Sequence, residues 1–309
     1  MDELSFLGLE FKLLSLEHPE PLAGFLEKYP QPLSGYTFAA LAAWHGYYRY
    51  AGLFAETETL LLSCILESDQ RRHLLQPVGI FSSAISQKLL EGAAALPYPL
   101  KIIGASEEFI KQNTDFSNSF AIREDRALSN YLYGAELLAQ LPGRKYSKKR
   151  NLLAQASGQY RWSAEILTSG MTDLCFDVLN SITREESPQM EGMLAREFAA
   201  LDYTLRHFQE LRQQGLLIMA DGRPVAFSIY EPISPTTVAI HFERALRSYK
   251  GLYQVVNSEA AKVVAAQGFQ FINREEDLGD AGLRDAKLSY HPAQIIPAYE
   301  YIYSSGNKP

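Results

Sequence analysis

Asp221-Gly222 stands between two apolar runs, Leu216–Ala220 and Pro224–Tyr230. Asp-Gly readily supplies the two positive-φ positions of a tight hairpin turn, so this spacing predicts an antiparallel strand pair. A third run, Thr237–Glu243, alternates: Val238, Ile240 and Phe242 fall on one face, His241 and Glu243 on the other. Gly251 then precedes a helical pattern over Leu252–Ala266 that stops at Gly268, and Phe269–Ile272 reads as the next strand. Asp280 is placed to cap a short helix from Ala281, and a last strand is expected over Ile295–Tyr303. A hairpin, a third strand and then a strand–helix–strand crossover require a mixed sheet with helices packed on it.

The first half carries similar punctuation. Helices are expected over Pro19–Tyr29, Tyr36–Tyr50 and Ser82–Ala95, and buried strands over Leu60–Ile65 and Leu100–Ile103, with Ser106 capping another helix. Ile122-Arg123-Glu124-Asp125 echoes the Ile272–Asp277 segment, and both follow strand, helix and strand, which suggests a duplicated α/β unit. At 309 residues the chain is long for one core. The break at Pro142-Gly143 places the expected boundary between domains 1–143 and 144–309.

Net charge is −7, which speaks against a surface coated in nucleic acid, because phosphate binding needs clustered cations. One basic island stands out: Arg144, Lys145, Lys148, Lys149 and Arg150. It is a candidate anion site for phosphates, tRNA or a lipid headgroup; a solvated basic linker is the alternative. Cys64 and Cys175 lie among apolar residues and read as buried free thiols. No CxxC or HExxH spacing occurs, so no metal is expected. The acidic N-terminus lacks a cationic leader, and no apolar run approaches the roughly 18 residues of a membrane span, so a cytoplasmic location is expected.

The element order of the C-terminal half resembles that of the GCN5-related N-acetyltransferase (GNAT) fold. There two neighbouring strands splay, and the helix after the third hairpin strand points its N-terminus at a diphosphate. The corresponding loop is Arg247-Ser-Tyr-Lys250-Gly251-Leu-Tyr253, with Tyr253 where that fold favours a small residue, so acetyl-CoA is the less favoured donor. LPGRKYSKKRN (141–151), HFERA (241–245), KGLYQVVN (250–257) and NREEDLGDAGLRDAKLSYHP (273–292) resemble the proteins grouped with the C-terminal domain of phosphatidylglycerol lysyltransferase. That resemblance implies an α/β (α+β) chain of two tandem GNAT-like domains, with mixed sheets and splayed central strands. It also implies transfer of an amino acid from aminoacyl-tRNA to a lipid headgroup, while related tandem folds extend peptidoglycan precursors.

Such a transfer needs a held nucleophile, a positioning carboxylate and a cation for the developing oxyanion. The candidate catalytic residues are Glu243, Arg274, Glu275 and Asp277. The candidate substrate-binding residues are His241, Lys250, Gly251, Tyr253, Asn257, Asn273, Arg284, Lys287 and Tyr290. Each has a structural alternative: Glu243 with Arg274 or Arg284, and Asp277 with Lys287, are also expected ion pairs. The acceptor expected is a lipid headgroup or another amine or hydroxyl. The competing functions are a CoA-dependent N-acyltransferase and a non-catalytic binding protein on the same fold.

Overall fold

The computed structural model describes residues 3–14, 20–56, 58–186 and 192–303. Two compact units form. The first runs to Asn130 and adds Glu276–Asp280 and the chain from Ile296; the second comprises Tyr131–Glu275 and Ala281–Ile295. The division thus falls at Asn130 rather than at the expected residue 143, and the C-terminal strand belongs to the first unit.

The first unit is built on a nine-stranded mixed sheet. Its central strand, Thr59–Leu66, is buried over its first six residues and mostly apolar, because both faces are covered. Leu61 enters one core cluster, while Leu60, Leu62 and Cys64 enter the other. Arg71–Leu75 runs parallel to Lys101–Ala105, and the helix Ser83–Ala95 crosses between them, started by the Ser82 hydroxyl, which accepts from Ile85 N at 3.2 Å. Tyr299–Ile302 lies between Lys101–Ala105 and the edge strand Ala121–Glu124.

The second unit repeats this plan with seven strands. Trp162–Ile166, Gln214–Ala220, Arg223–Ser234 and Thr237–Ala245 are antiparallel in turn, and the Asp221-Gly222 turn takes the positive φ values, 49° and 78°, that its sequence promised. The helix Leu252–Ala266 then crosses to Phe271–Asn273, which pairs parallel with Thr237–Ala245. Asn130–Gly134 pairs beside it, and Gln294–Ile296 closes the sheet. The single strand expected over Ile295–Tyr303 is therefore two, one in each sheet, parted at Pro297.

Each sheet takes its last-but-one strand from the opposite half of the sequence: Asn130–Gly134 in one, Tyr299–Ile302 in the other. The duplication is real at the level of strand order, but the echoed segments are not counterparts. Ala121–Glu124 matches the edge strand Gln294–Ile296, and Phe271–Asn273 matches Lys101–Ala105. Both cysteines are buried free thiols, and burial pushes each up to about 12. Among the described residues no helix is long and apolar enough to cross a membrane.

Candidate functional site

Thr237–Ala245 and Phe271–Asn273 pair over only three residues, from Thr237 opposite Phe271 to Ala239 opposite Asn273. The former strand continues to Ala245, but the latter leaves the ladder, and local chemistry explains why. The Asn273 side-chain carbonyl accepts from Glu275 N at 2.8 Å, and Glu275 adopts φ 61°, a turn Asn readily nucleates. The backbone bonds of Arg274 and Glu275 then go to Tyr131: Arg274 N donates to Tyr131 O at 2.9 Å, and Tyr131 N to Glu275 O at 3.1 Å. A gap opens beside the second half of Thr237–Ala245.

Charged side chains enter that gap. Arg274 Nη2 donates to Glu243 Oε1 at 2.9 Å, with the two side chains only 16% and 9% exposed. The guanidinium lies over the rings of Tyr290 and Tyr133, at 5.1 and 5.9 Å from their centroids. Asn257, from the crossing helix, donates Nδ2 to Glu243 Oε2 at 3.4 Å. His241 is gripped from both sides, Nδ1 by Glu275 and Nε2 by Glu231, each at 2.7 Å. Burial alone would lower its pKa, but the two carboxylates outweigh that and raise it to about 10, so the ring is an imidazolium at neutral pH. The His241–Glu275 contact links the two parting segments.

The other candidates fall in several places. Asp277 belongs to the first unit, where it accepts from Arg126 Nη1 at 3.2 Å and from Gly279 N at 2.9 Å. The buried Lys287 donates to the Arg274 carbonyl, while the Lys287 carbonyl accepts from Tyr133 Oη at 2.8 Å. Arg284 sits half-buried on the helix Ala281–Leu288, and Asn273 is fully buried in its turn. Tyr290 forms a wall of the gap, with its carbonyl accepting from Tyr146 Oη at 3.0 Å.

Gly251 precedes the crossing helix as expected, with φ 90°. Its cause is packing rather than room for a diphosphate. A Cβ there would lie 2.4 Å from the Leu152 carbonyl oxygen and 3.1 Å from Ala156 Cβ, so the helix Ser147–Gln159 crosses too closely for any side chain. Lys250 is exposed, and Tyr253 keeps 37% exposure at the first turn.

The basic island forms the short turn Arg144–Tyr146 and the start of that same helix. Arg144, Lys145 and Lys148 face solvent, and Arg150 donates to the Leu141 and Gly143 carbonyls, which fixes the turn. Lys149 alone turns inward, its ammonium 4.0 Å from the Tyr290 ring centroid. Burial and the nearby Arg274 charge lower its pKa. Lys149, Tyr290 and Arg274 therefore form one stack from the basic helix into the gap.

Three contributors were not read from the sequence: Glu231, Tyr133 and Ser228. Ser228 pairs directly with Glu243 across the sheet, so the two side chains share a face. Its signal was a lone serine in an otherwise aliphatic and aromatic run, Val225–Tyr230. Glu231 and Tyr133 look like ordinary strand residues until register is known. Among the described residues, no cluster of three or more His, Cys, Asp or Glu is arranged to hold a metal.

Two mixed sheets, each with a helix-crossed parallel pair and a partner strand set beyond it, define a tandem GNAT-like α/β protein. The chain belongs to the family described as phosphatidylglycerol lysyltransferase, C-terminal, whose family model matches residues 26–302. A conserved protein of unknown function from Bacteroides thetaiotaomicron superimposes with a TM-score of 0.87 at 28% identity, covering 95% of this chain and 99% of that one. The C-terminal domain of a putative lysylphosphatidylglycerol synthetase from Agrobacterium fabrum shares the fold, with a TM-score of 0.68 at 13% identity over 93% of this chain and 91% of that one. An uncharacterised protein of Mycoplasmoides gallisepticum is 27% identical over 179 residues, and the chain spans 55% of the length of that relative and 55% of its own in the match.

Proposed function

We propose that the chain is an aminoacyltransferase that takes an amino acid from aminoacyl-tRNA and passes it to the hydroxyl or amine of an acceptor such as a lipid headgroup. The observation that carries this reading is the Lys149–Tyr290–Arg274 stack, which joins an exposed basic helix to a buried carboxylate. Phosphates of a tRNA acceptor arm suit Arg144, Lys145 and Lys148, and its terminal ester would then lie at Arg274 and Glu243. In the transfer, the acceptor oxygen or nitrogen attacks the ester carbonyl carbon and the bond from that carbon to the ribose oxygen breaks. The acceptor's proton passes, directly or through water, to the departing ribose oxygen. Arg274 supplies positive charge for the carbonyl oxygen as it becomes negative. The close crossing at Gly251 weighs against a CoA diphosphate on the same helix.

Charged and uncharged tRNA binding to the full chain tests the donor. We expect binding that weakens steeply with salt, and Lys149→Ala should weaken it by about tenfold. Absence of binding at low salt removes the reading. A second reading, a binding protein without catalysis, is favoured by one feature: the Arg274–Glu243 bridge itself occupies the gap. Tight tRNA binding with no loss of the attached amino acid would support that second reading.

A further inference from the structure

Around Glu243 two buried polar atoms lack partners. Ser228 Oγ, on a residue with no exposure, makes no hydrogen bond, and neither does Asn257 Oδ1, on a residue 1% exposed. Both belong to residues beside the same carboxylate: Ser228 is the cross-strand partner of Glu243, and the Asn257 amide already reaches Glu243 Oε2. Buried polar atoms are nearly always satisfied, and two orphans beside one carboxylate call for a donor-rich group between them. The three groups offer acceptor oxygens of three kinds: a carboxylate, an amide carbonyl and a hydroxyl. Asn257 is oriented by Glu243, because only its NH2 can face a carboxylate, and this leaves its carbonyl oxygen directed elsewhere. Arg274 engages Oε1 and leaves Oε2 with the 3.4 Å contact alone, so the carboxylate retains capacity to accept.

We infer that Ser228, Glu243 and Asn257 form a subsite for a primary ammonium group, namely the free α-amine of the aminoacyl donor. A primary ammonium carries three N–H donors and one positive charge, which matches three acceptors of which one is anionic. A plain acyl group has no donor for these atoms and leaves them unpaired, so the subsite selects aminoacyl over acyl donors. This inference rests on the aminoacyl-transfer reading for the identity of the amine, but its physical content is the recognition of an ammonium.

Calorimetric titration of the full chain with L-alaninamide and with N-acetyl-L-alaninamide tests it. The free amine should bind and the acetylated compound should not, a contrast read on the wild-type protein without any variant. Ser228→Ala and Asn257→Leu should each weaken the free amine by about tenfold. Equal binding of the two amides, no binding of either, or variants that bind the free amine as wild type does would overturn the subsite. The two claims fail separately. If the wild type transfers an amino acid from charged tRNA and both variants do so at its rate, the subsite is wrong and the function stands. If L-alaninamide binds with the expected sensitivity but no charged tRNA is used, the subsite stands and the function falls.

Discussion

Arg274→Met is expected to destabilise the second unit by about 3–5 kcal/mol, the usual cost of stranding one member of a buried ion pair. Both side chains are largely shielded, with 16% and 9% exposure, so solvent offers Glu243 little replacement for the guanidinium. The loss comes chiefly from the carboxylate left behind rather than from the net worth of the bridge. The double variant Arg274→Met/Glu243→Gln should therefore recover most of it, since neither residue then needs a counter-charge. Equilibrium denaturation in urea measures both. A double variant as unstable as the single one would show that Arg274 acts mainly through its packing on Tyr133 and Tyr290.

The second large effect concerns His241 and pH. Its pKa rises from 6.5 to about 10 on folding, because Glu275 and Glu231 overcome the burial that would lower it. Between those values the folded state holds a proton that the unfolded state has released, so stability falls as pH rises. The contribution is complete below pH 6.5 and is lost as pH passes about 10, and it amounts to several kcal/mol. His241→Gln should flatten this slope and destabilise the unit at neutral pH by leaving Glu231 and Glu275 to face each other. Denaturation midpoints of wild type and variant across pH 6 to 10 provide the check; parallel curves would show that the imidazole is not the titrating group.

The C-terminal half was legible because its signals are local. Asp221-Gly222 sets its own turn, and the helix expected over Leu252–Ala266 has those bounds. The strand expected at Phe269–Ile272 lies two residues further at its start and one at its end, over Phe271–Asn273, because Gly268 takes φ 92° and delays the ladder. In the first half, Arg71–Leu75 went unread because Arg71-Arg72-His73 looks like surface. Yet His73 is fully buried, with Nε2 bonded to Asp69 at 3.0 Å and Nδ1 accepting from Lys101 N at 3.0 Å. Placing Glu243 and Arg274 near each other needs only the alternation of one strand and the end of the next. The bond from Arg126 to Asp277 could not be read, because the two lie 151 positions apart in sequence and no local pattern links them. Gly251 shows the converse, a glycine whose family-like position suggests a ligand and whose neighbours show that a helix backbone requires it.

The gap beside Glu243 either carries out a transfer or only holds two strands apart. The most direct measurement follows a labelled amino acid from charged tRNA onto phosphatidylglycerol vesicles or a soluble amine such as ethanolamine, with wild type and Glu243→Gln compared at equal folded fraction. The wild type is expected to transfer the amino acid, and the variant to do so at a rate lower by about a hundredfold or more. No transfer by a folded wild-type chain that binds the tRNA, or a Glu243→Gln variant as fast as wild type, would contradict it.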